Sequence, residues 1–313
     1  MMAKTAVLII NWNNSFDTIN AIKSVLHLND TAIFLLDNDS KDNSVAELKD
    51  FFSTNSIIYS LINTNDVDGY IYKEENVVFV LSDSNRGFAG GNNILLKCII
   101  QNKEFSYAWL LNNDAIADSH ALNALINKMN EDSHNAFVGS VILDYFKQEL
   151  IQCCGVKYYK YFGVSKLLLK NVNWQNIDKV ILINHTADFQ QGSSLLVRLS
   201  ALEKIGLMDE RFFLYFEEQD WQYSGINLGY KQVLATESIV YHKGSVSTNN
   251  KKHLFFYYYN KSAMIFAKKH SSFFVRNIAA IMLCGITLIR SKLFIKSIVF
   301  GFKGILEGYF TKL

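Results

Sequence analysis

Thr5-Ala6-Val7-Leu8-Ile9-Ile10, followed at once by Asn11-Trp12-Asn13-Asn14, is the stretch that sets the fold. An apolar and β-branched run without alternation reads as a strand buried on both faces, the habit of parallel strands covered by helices. The abrupt polar corner reads as the carboxyl end of that strand, where an open α/β sheet presents its ligand site. The pattern recurs down the chain. Ala32–Leu36 runs into Asp37-Asn38-Asp39-Ser40, Val77–Leu81 into Ser82-Asp83-Ser84-Asn85-Arg86-Gly87, and Tyr107–Leu111 into Asn112-Asn113-Asp114. Helical spacing fills the intervals at Phe16–Leu28 (capped by Ser15), Ser44–Phe52, Ala89–Gln101 and Ser119–Met129. With strand candidates at Ile57–Ile62 and Ala136–Leu143, the expectation is α/β: a mostly parallel central sheet flanked by helices.

Beyond residue 145 the pattern loosens. Val156–Tyr161 and Val180–Asn184 read as strands or loops over the cleft, and Gly192–Arg198 as a strand. A short helix from Ser200 stops at Gly206, and a longer one stops at Gly229. Val233–Ala235 and Ile239–Tyr241 read as two short strands leading to His242-Lys243-Gly244-Ser245. Proline is absent, so turns must rest on Asn, Asp and Gly. The four cysteines (Cys98, Cys153, Cys154, Cys284) lack CxxC spacing and read as buried thiols of a reducing cytosol rather than a metal site. The first apolar run is too short for a signal peptide, and no run of 18 apolar residues predicts a transmembrane helix.

Five constellations carry candidate chemistry. Asp37 at a strand end is placed either to accept a hydrogen bond from a base imide or to form an Asx turn. Asn85 to Asn93 holds three glycines at a strand-to-helix turn, open to close approach by phosphate. Asn112-Asn113-Asp114 suits a divalent cation bridging phosphates, or a plain turn. His242, at another strand end, is a second metal or diphosphate contact, or a hydrogen-bonded edge histidine. Asp209 to Trp221, DERFFLYFEEQDW, sets Glu217, Glu218 and Asp220 after an aromatic run. Apolar walls raise a carboxylate's pKa and fit it for general-base work; the competing reading is dipole complementation at a helix start.

Taken in order, NWNN, LLDNDSKDNS, SNRGFAGGNN, LLNNDA, the DFQQGSSLLVRLSALEKIGLMDERFFLYFEEQDW stretch, GYKQVLATESIVYHKGSVS and YYYNKSAMIFAKKH resemble family 2 glycosyltransferases of the GT-A fold. The wording is most similar to the rhamnosyltransferase-like branch of bacterial surface-polysaccharide synthesis, over about residues 4–270. The resemblance implies an inverting hexosyl transfer from a nucleotide sugar, dTDP-L-rhamnose first and a UDP-hexose second, to a saccharide or lipid-linked saccharide. It implies nucleotide contacts at Asn11, Asn13, Asp37, Asn85, Gly87, Phe88, Gly90, Asn93 and Asn113, with Mg²⁺ or Mn²⁺ at Asp114 and His242. It implies Glu218 as base, flanked by Glu217 and Asp220. Two departures stand out: Asn112 replaces the first acid of the metal motif, and Glu218 stands where the family has aspartate. A catalytically inactive sugar-nucleotide-binding scaffold is the rival from another class.

Residues 251–313 carry 11 Lys/Arg against the single acid Glu307, whereas residues 1–250 carry 20 basic and 28 acidic residues. The division expected is a transferase domain over 1–250 and a basic aromatic helical extension over 251–313. Asn277–Ile289, thirteen residues between Arg276 and Arg290, is too short to span a bilayer. The tail is expected to rest peripherally on the cytoplasmic membrane face, against the alternative of a helical pair packed on the domain. No nucleic-acid-binding motif accompanies the charge.

Overall fold

The computed structural model describes residues 4–178, 187–244 and 252–313. Val180–Asn184, Ser245 and the boundary at 250 lie outside them. The first half of the chain alternates strand and helix: β1 (Lys4–Asn11), α1 (Ser15–Val25), β2 (Thr31–Asp37), α2 (Ser44–Thr54), β3 (Tyr59–Asn63), β4 (Val77–Leu81), α3 (Gly87–Ile100), β5 (Phe105–Leu111). β6 (Ala115–Ala117), α4 (Ala121–Asn130), β7 (Asn135–Asp144) and the short β8 (Ile151–Cys153), β9 (Val156–Tyr159) and β10 (Val164–Leu167) follow. Then come β11 (Ser194–Arg198), α5 (Leu199–Ile205), α6 (Glu217–Asn227), β12 (Lys231–His242), and three closing helices: α7 (Lys252–His270), α8 (Phe273–Arg290) and α9 (Ile295–Phe310).

The main sheet runs β3-β4-β2-β1-β5-β11-β7-β12-β6, with β8 added to β7. β3, β4, β2, β1 and β5 are parallel, as are β7 and β12, while β11 runs antiparallel between β5 and β7. The order reverses direction between β1 and β5, so a crevice opens beyond their carboxyl ends. α1 is capped by the Asn14 side chain, which accepts from the Asp17 N–H, rather than by Ser15. Two expected short strands are one, β12, with its register to β7 shifted between Ala235 and Ile239. That bulge breaks the apolar pattern and mimics a gap in the sequence.

α7 contributes Ala263, Met264, Ile265 and Phe266 to the same core cluster as Val7, Ile9 and Trp109 of the sheet. α9 lies parallel to α7 at backbone distance. A Cβ on Gly304 or Gly308 would sit 2.3 Å from the carbonyl oxygen of Tyr257 or Lys261. α8 is longer than its thirteen-residue apolar centre, because Ser272 caps it and adds a turn. At 18 residues and mean hydropathy 1.7 it is long and apolar enough, by length and composition, to cross a membrane.

Candidate active site

The strand-end loops are stitched to one another. Asn11 donates to Asp37 Oδ1 at 2.8 Å and accepts from the Thr18 hydroxyl at 2.7 Å. Asp37 also takes the Ser40 N–H at 2.9 Å and the Ser40 hydroxyl at 2.6 Å, which makes it the hub of a buried turn. Asn13, at φ 51°, accepts from the Lys41 N–H at 2.6 Å and closes the same loop. Asn38 donates to the Gly87 carbonyl at 3.1 Å and accepts from the Arg86 N–H at 2.9 Å. Asn85 accepts the Gly87 N–H at 2.9 Å. Gly87 is required on two counts: its φ is +68°, and a Cβ there would sit 2.1 Å from the Phe213 carbonyl oxygen. That carbonyl takes the Phe88 N–H at 2.9 Å and so ties the 209–216 loop to the start of α3.

At the ends of β5 and β12, His242 Nε2 stands 3.0 Å from Asp114 Oδ1 and 3.2 Å from Asn112 Nδ2. Gln152 donates through Nε2 to the His242 carbonyl at 3.1 Å, which turns its Oε1 onto His242 Nδ1 at 2.6 Å. With Nδ1 donating to Gln152 Oε1, Nε2 is the nitrogen that faces the Asp114 carboxylate, to which it donates when the ring carries a second proton. Burial acts most strongly on Asp114, upward, but the His242 hydrogen bond and charge, its own backbone and Lys243 together hold its carboxyl below the usual range. In the neutral ring the Nε2 lone pair and the carboxylate oxygen face one another, an arrangement a divalent cation resolves. About 3.0 Å is the separation of adjacent ligands on an octahedral ion with roughly 2.1 Å bonds. Oxygen with one imidazole suits Mg²⁺ or Mn²⁺. Among the described residues no third His, Cys, Asp or Glu joins them. Asn113 donates to Thr18 at 3.1 Å and also lines the cleft.

The acidic stretch is delivered by a strained turn. Tyr215 and Phe216 hold φ of 69° and 67°, a left-handed pair costing on the order of 1–3 kcal/mol per residue. Rings fix it: Phe216 lies 5.3 Å from Tyr259 and 5.6 Å from Phe266, and Tyr215 lies 5.4 Å from Phe255, all three partners on α7. α6 then starts with Glu217 buried and Glu218 partly buried at the cleft wall. Burial, followed by the neighbouring charge of Glu218, raises Glu217 well above an ordinary carboxylate. Burial likewise pushes Glu218 up to about 7, against the pull of backbone amides including that of Gly192. Asp220 is placed elsewhere: it takes Lys269 at 2.7 Å and His270 at 2.6 Å, both from the end of α7.

These elements enclose a cleft of about 490 Å³, lined by Trp12, Asn38, Asn85, Gly87, Phe88, Asn112, Asn113, Asp114, Glu217, Glu218 and His242. Gln191 Oε1, Ser193 Oγ, Glu217 Oε2 and Glu218 Oε2 belong to residues lining it, and each is buried without a hydrogen-bond partner. Unsatisfied buried polar atoms gathered on one cavity mark a ligand's place. A larger depression, about 930 Å³, lies between α4 and the β12 bulge and contains none of these groups.

The other expected site residues stand outside the cleft lining. Asp220 is an anchor for α7, not a cleft carboxylate. Asn93 binds the Met208 backbone and Glu210 rather than facing the cleft, where Asn92, four residues after Phe88, stands instead. Gly90 packs on Arg86. Asn11, Asn13 and Asp37 shape the rim through the 37–41 turn, the Asx reading, and do not line the cavity. Trp12, Gln191 and Ser193 were assigned no role. The polar run Gln190-Gln191-Gly192-Ser193 just before an apolar strand was the available signal.

The model of the family described as glycosyl transferase family 2 matches residues 6–206. No curated protein matches the chain by sequence. Among solved structures, GalNAc-T7 with UDP, GalNAc and Mn²⁺ superposes at TM-score 0.56 and 12% identity, over 90% of this chain and 54% of its own. The present chain thus spans about half the length of that protein. The mannosyltransferase PcManGT from Pyrobaculum calidifontis, solved with GDP-Man and Mn²⁺, superposes at TM-score 0.58 and 9% identity, over 98% of this chain and 86% of its own. At these identities the likeness is one of fold, and the fold is GT-A-like.

Proposed function

The chain belongs to glycosyl transferase family 2, and on that footing we propose that it moves a sugar from a nucleoside diphosphate to an acceptor hydroxyl with inversion, Glu218 acting as base. The observation that carries this is the pair of buried carboxylates at the start of α6, each with one oxygen unpartnered, on a cleft that Asp114 and His242 also line. A carboxylate with a pKa of about 7 is half-ionised at neutral pH and strong enough to take a hydroxyl proton as that oxygen attacks. The bond from acceptor oxygen to anomeric carbon forms as the bond to the diphosphate breaks, and the proton stays on Glu218. No covalent intermediate is needed.

A divalent cation, when bound at Asp114 and His242, would neutralise diphosphate charge, and with so few protein ligands the phosphates and water would complete its shell. Gln152 keeps the His242 lone pair directed there. The Gly87 turn brings backbone to the donor, and Gln191 and Ser193 offer free polar atoms to sugar hydroxyls.

The finer reading is L-rhamnose from dTDP-rhamnose, passed to a saccharide or lipid-linked saccharide in surface-polysaccharide synthesis; the wording of the motifs supports it. A UDP-hexose donor is the second choice. Asn112 in the metal motif favours a non-catalytic nucleotide-sugar-binding subunit as the rival. Hydrolysis or transfer from a panel of dTDP-, UDP- and GDP-sugars, with Mn²⁺, Mg²⁺ or chelator, separates them. Turnover of one donor that vanishes in Glu218→Gln with binding retained supports the transferase. Nucleotide binding without turnover of any donor, lipid extract supplied as acceptor, sinks it.

A further inference from the structure

α8 and α9 form an antiparallel hairpin whose outward side carries a long run of exposed apolar side chains. Phe274, Ile281 and Leu288 on α8 are each seven residues apart and exposed, and Ile295, Val299, Leu306 and Phe310 continue the stripe along α9. The stripe is densest at the connecting turn, where Leu293, Phe294 and Ile295 are 73%, 71% and 77% exposed. Soluble surfaces do not leave contiguous apolar faces of this extent uncovered without a partner.

Charge says what the partner is. Exposed Arg290, Lys292, Lys296, Lys303 and Lys312 accompany the stripe, and the one acid on these helices, Glu307, is taken up by Tyr257, Lys261 and Lys303. A helix pair with an apolar stripe and a cationic border fits the interfacial layer of an anionic bilayer. Flat placement wins over crossing. α8 reaches the minimum length for a span, but Ala279, Leu283 and Thr287 hold it against the body of the protein, and its hairpin mate carries Lys296, Lys303 and Glu307 along its length.

Position ties this surface to the cleft. α7 and α9 run in the same direction, with Phe300 4.8 Å from His253 and Gly304 and Gly308 against Tyr257 and Lys261. The start of α9, and with it the hairpin turn, therefore lies at the end of the helix layer where Leu254, Phe255 and Tyr258 of α7 line the cleft. We propose that the α8–α9 hairpin lies in the surface of an anionic membrane with its 289–295 turn inserted, which holds the mouth of the cleft at the lipid boundary. The placement does not depend on the donor or on Glu218.

The test is co-sedimentation of the full chain with vesicles of phosphatidylglycerol and phosphatidylcholine, against phosphatidylcholine alone. Leu293→Ser/Phe294→Ser/Ile295→Ser removes the turn's apolar groups, and Lys292→Gln/Lys296→Gln its charge. Because all five residues are exposed, melting temperature should match wild type. Expected are binding to anionic vesicles that falls with salt, a drop of about tenfold or more in the triple variant, and a smaller, salt-like drop in the double. Absence of vesicle binding, or binding unchanged in the triple variant, overturns the proposal. A concentration-dependent dimer abolished by the triple variant, without vesicle binding, assigns the face to a second copy instead. Resistance to alkaline carbonate extraction from native membranes overturns the flat placement in favour of a span.

Discussion

Asp220 is buried and engaged, its two oxygens held by Lys269 and His270 and its helix thereby fastened to the end of α7. Glu218, two residues earlier on the same helical turn, opens on the cleft with Oε2 unpartnered. Sequence distance and charge are nearly the same; surroundings are opposite. A carboxylate that loses water and gains a cation becomes a fastener, and one that loses water and gains only backbone amides is pushed toward neutrality with an oxygen still free. The pair shows that burial alone does not assign a role. What lies across from the carboxylate does.

Substitutions at each position test that contrast. Glu218→Gln should cut kcat by about a hundred- to ten-thousand-fold while nucleotide binding measured by calorimetry persists; an active variant would move the base elsewhere. Asp220→Asn should leave Lys269 buried without half its charge partners and cost about 3 kcal/mol in denaturant unfolding. Wild-type stability in that variant would mean the anchor is idle. Gln152→Leu frees the His242 ring and should weaken Mn²⁺ binding in the presence of nucleoside diphosphate by roughly 10–100-fold, read by titration rather than by rate. In wild type, kcat should rise about tenfold from pH 6 to pH 8 as Glu218 ionises with its pKa near 7. A flat profile would detach Glu218 from the rate.

The last effect concerns stability and follows from sign. Glu218 is raised from 4.5 to about 7 in the fold, so the folded chain binds the extra proton between those values and stability falls as pH rises through them. Glu218→Gln should therefore be more stable than wild type at pH 8, by about 3 kcal/mol, and no more stable at pH 4. Asp209 works the other way. Burial opposes it, but Arg211 and Lys269 bring its carboxyl from 3.8 down to about 2, so its contribution is present above pH 4 and lost as pH falls toward 2. The two slopes place greatest stability on the acidic side of neutrality.

The alternation of apolar runs and polar corners made the sheet and its ligand edge legible, because strands buried on both faces cannot hide their composition. β4 was read to the residue. β12 was not, since its bulge interrupts the run that defines a strand. Within the site, the cleft side of Asp114, His242 and Glu218 was legible from strand ends and the aromatic approach. The role of Asp220 was not, because its partners lie about fifty residues later on a helix whose docking no local pattern encodes. Asn92 and Asn93 differ only in which side of α3 they occupy, and a one-residue ambiguity is 100° of helix.

The left-handed turn at Tyr215 and Phe216 has a consequence in time. It is held by rings of α7, and α7 is gripped through Gly304 and Gly308 of α9. A ribosome delivers the sheet, the Gly87 loop and the Asp114 corner long before those helices. The nascent chain thus holds the strand-end loops before it holds this turn in place, and the cleft is complete only once α7 has added Leu254, Phe255 and Tyr258 to its wall.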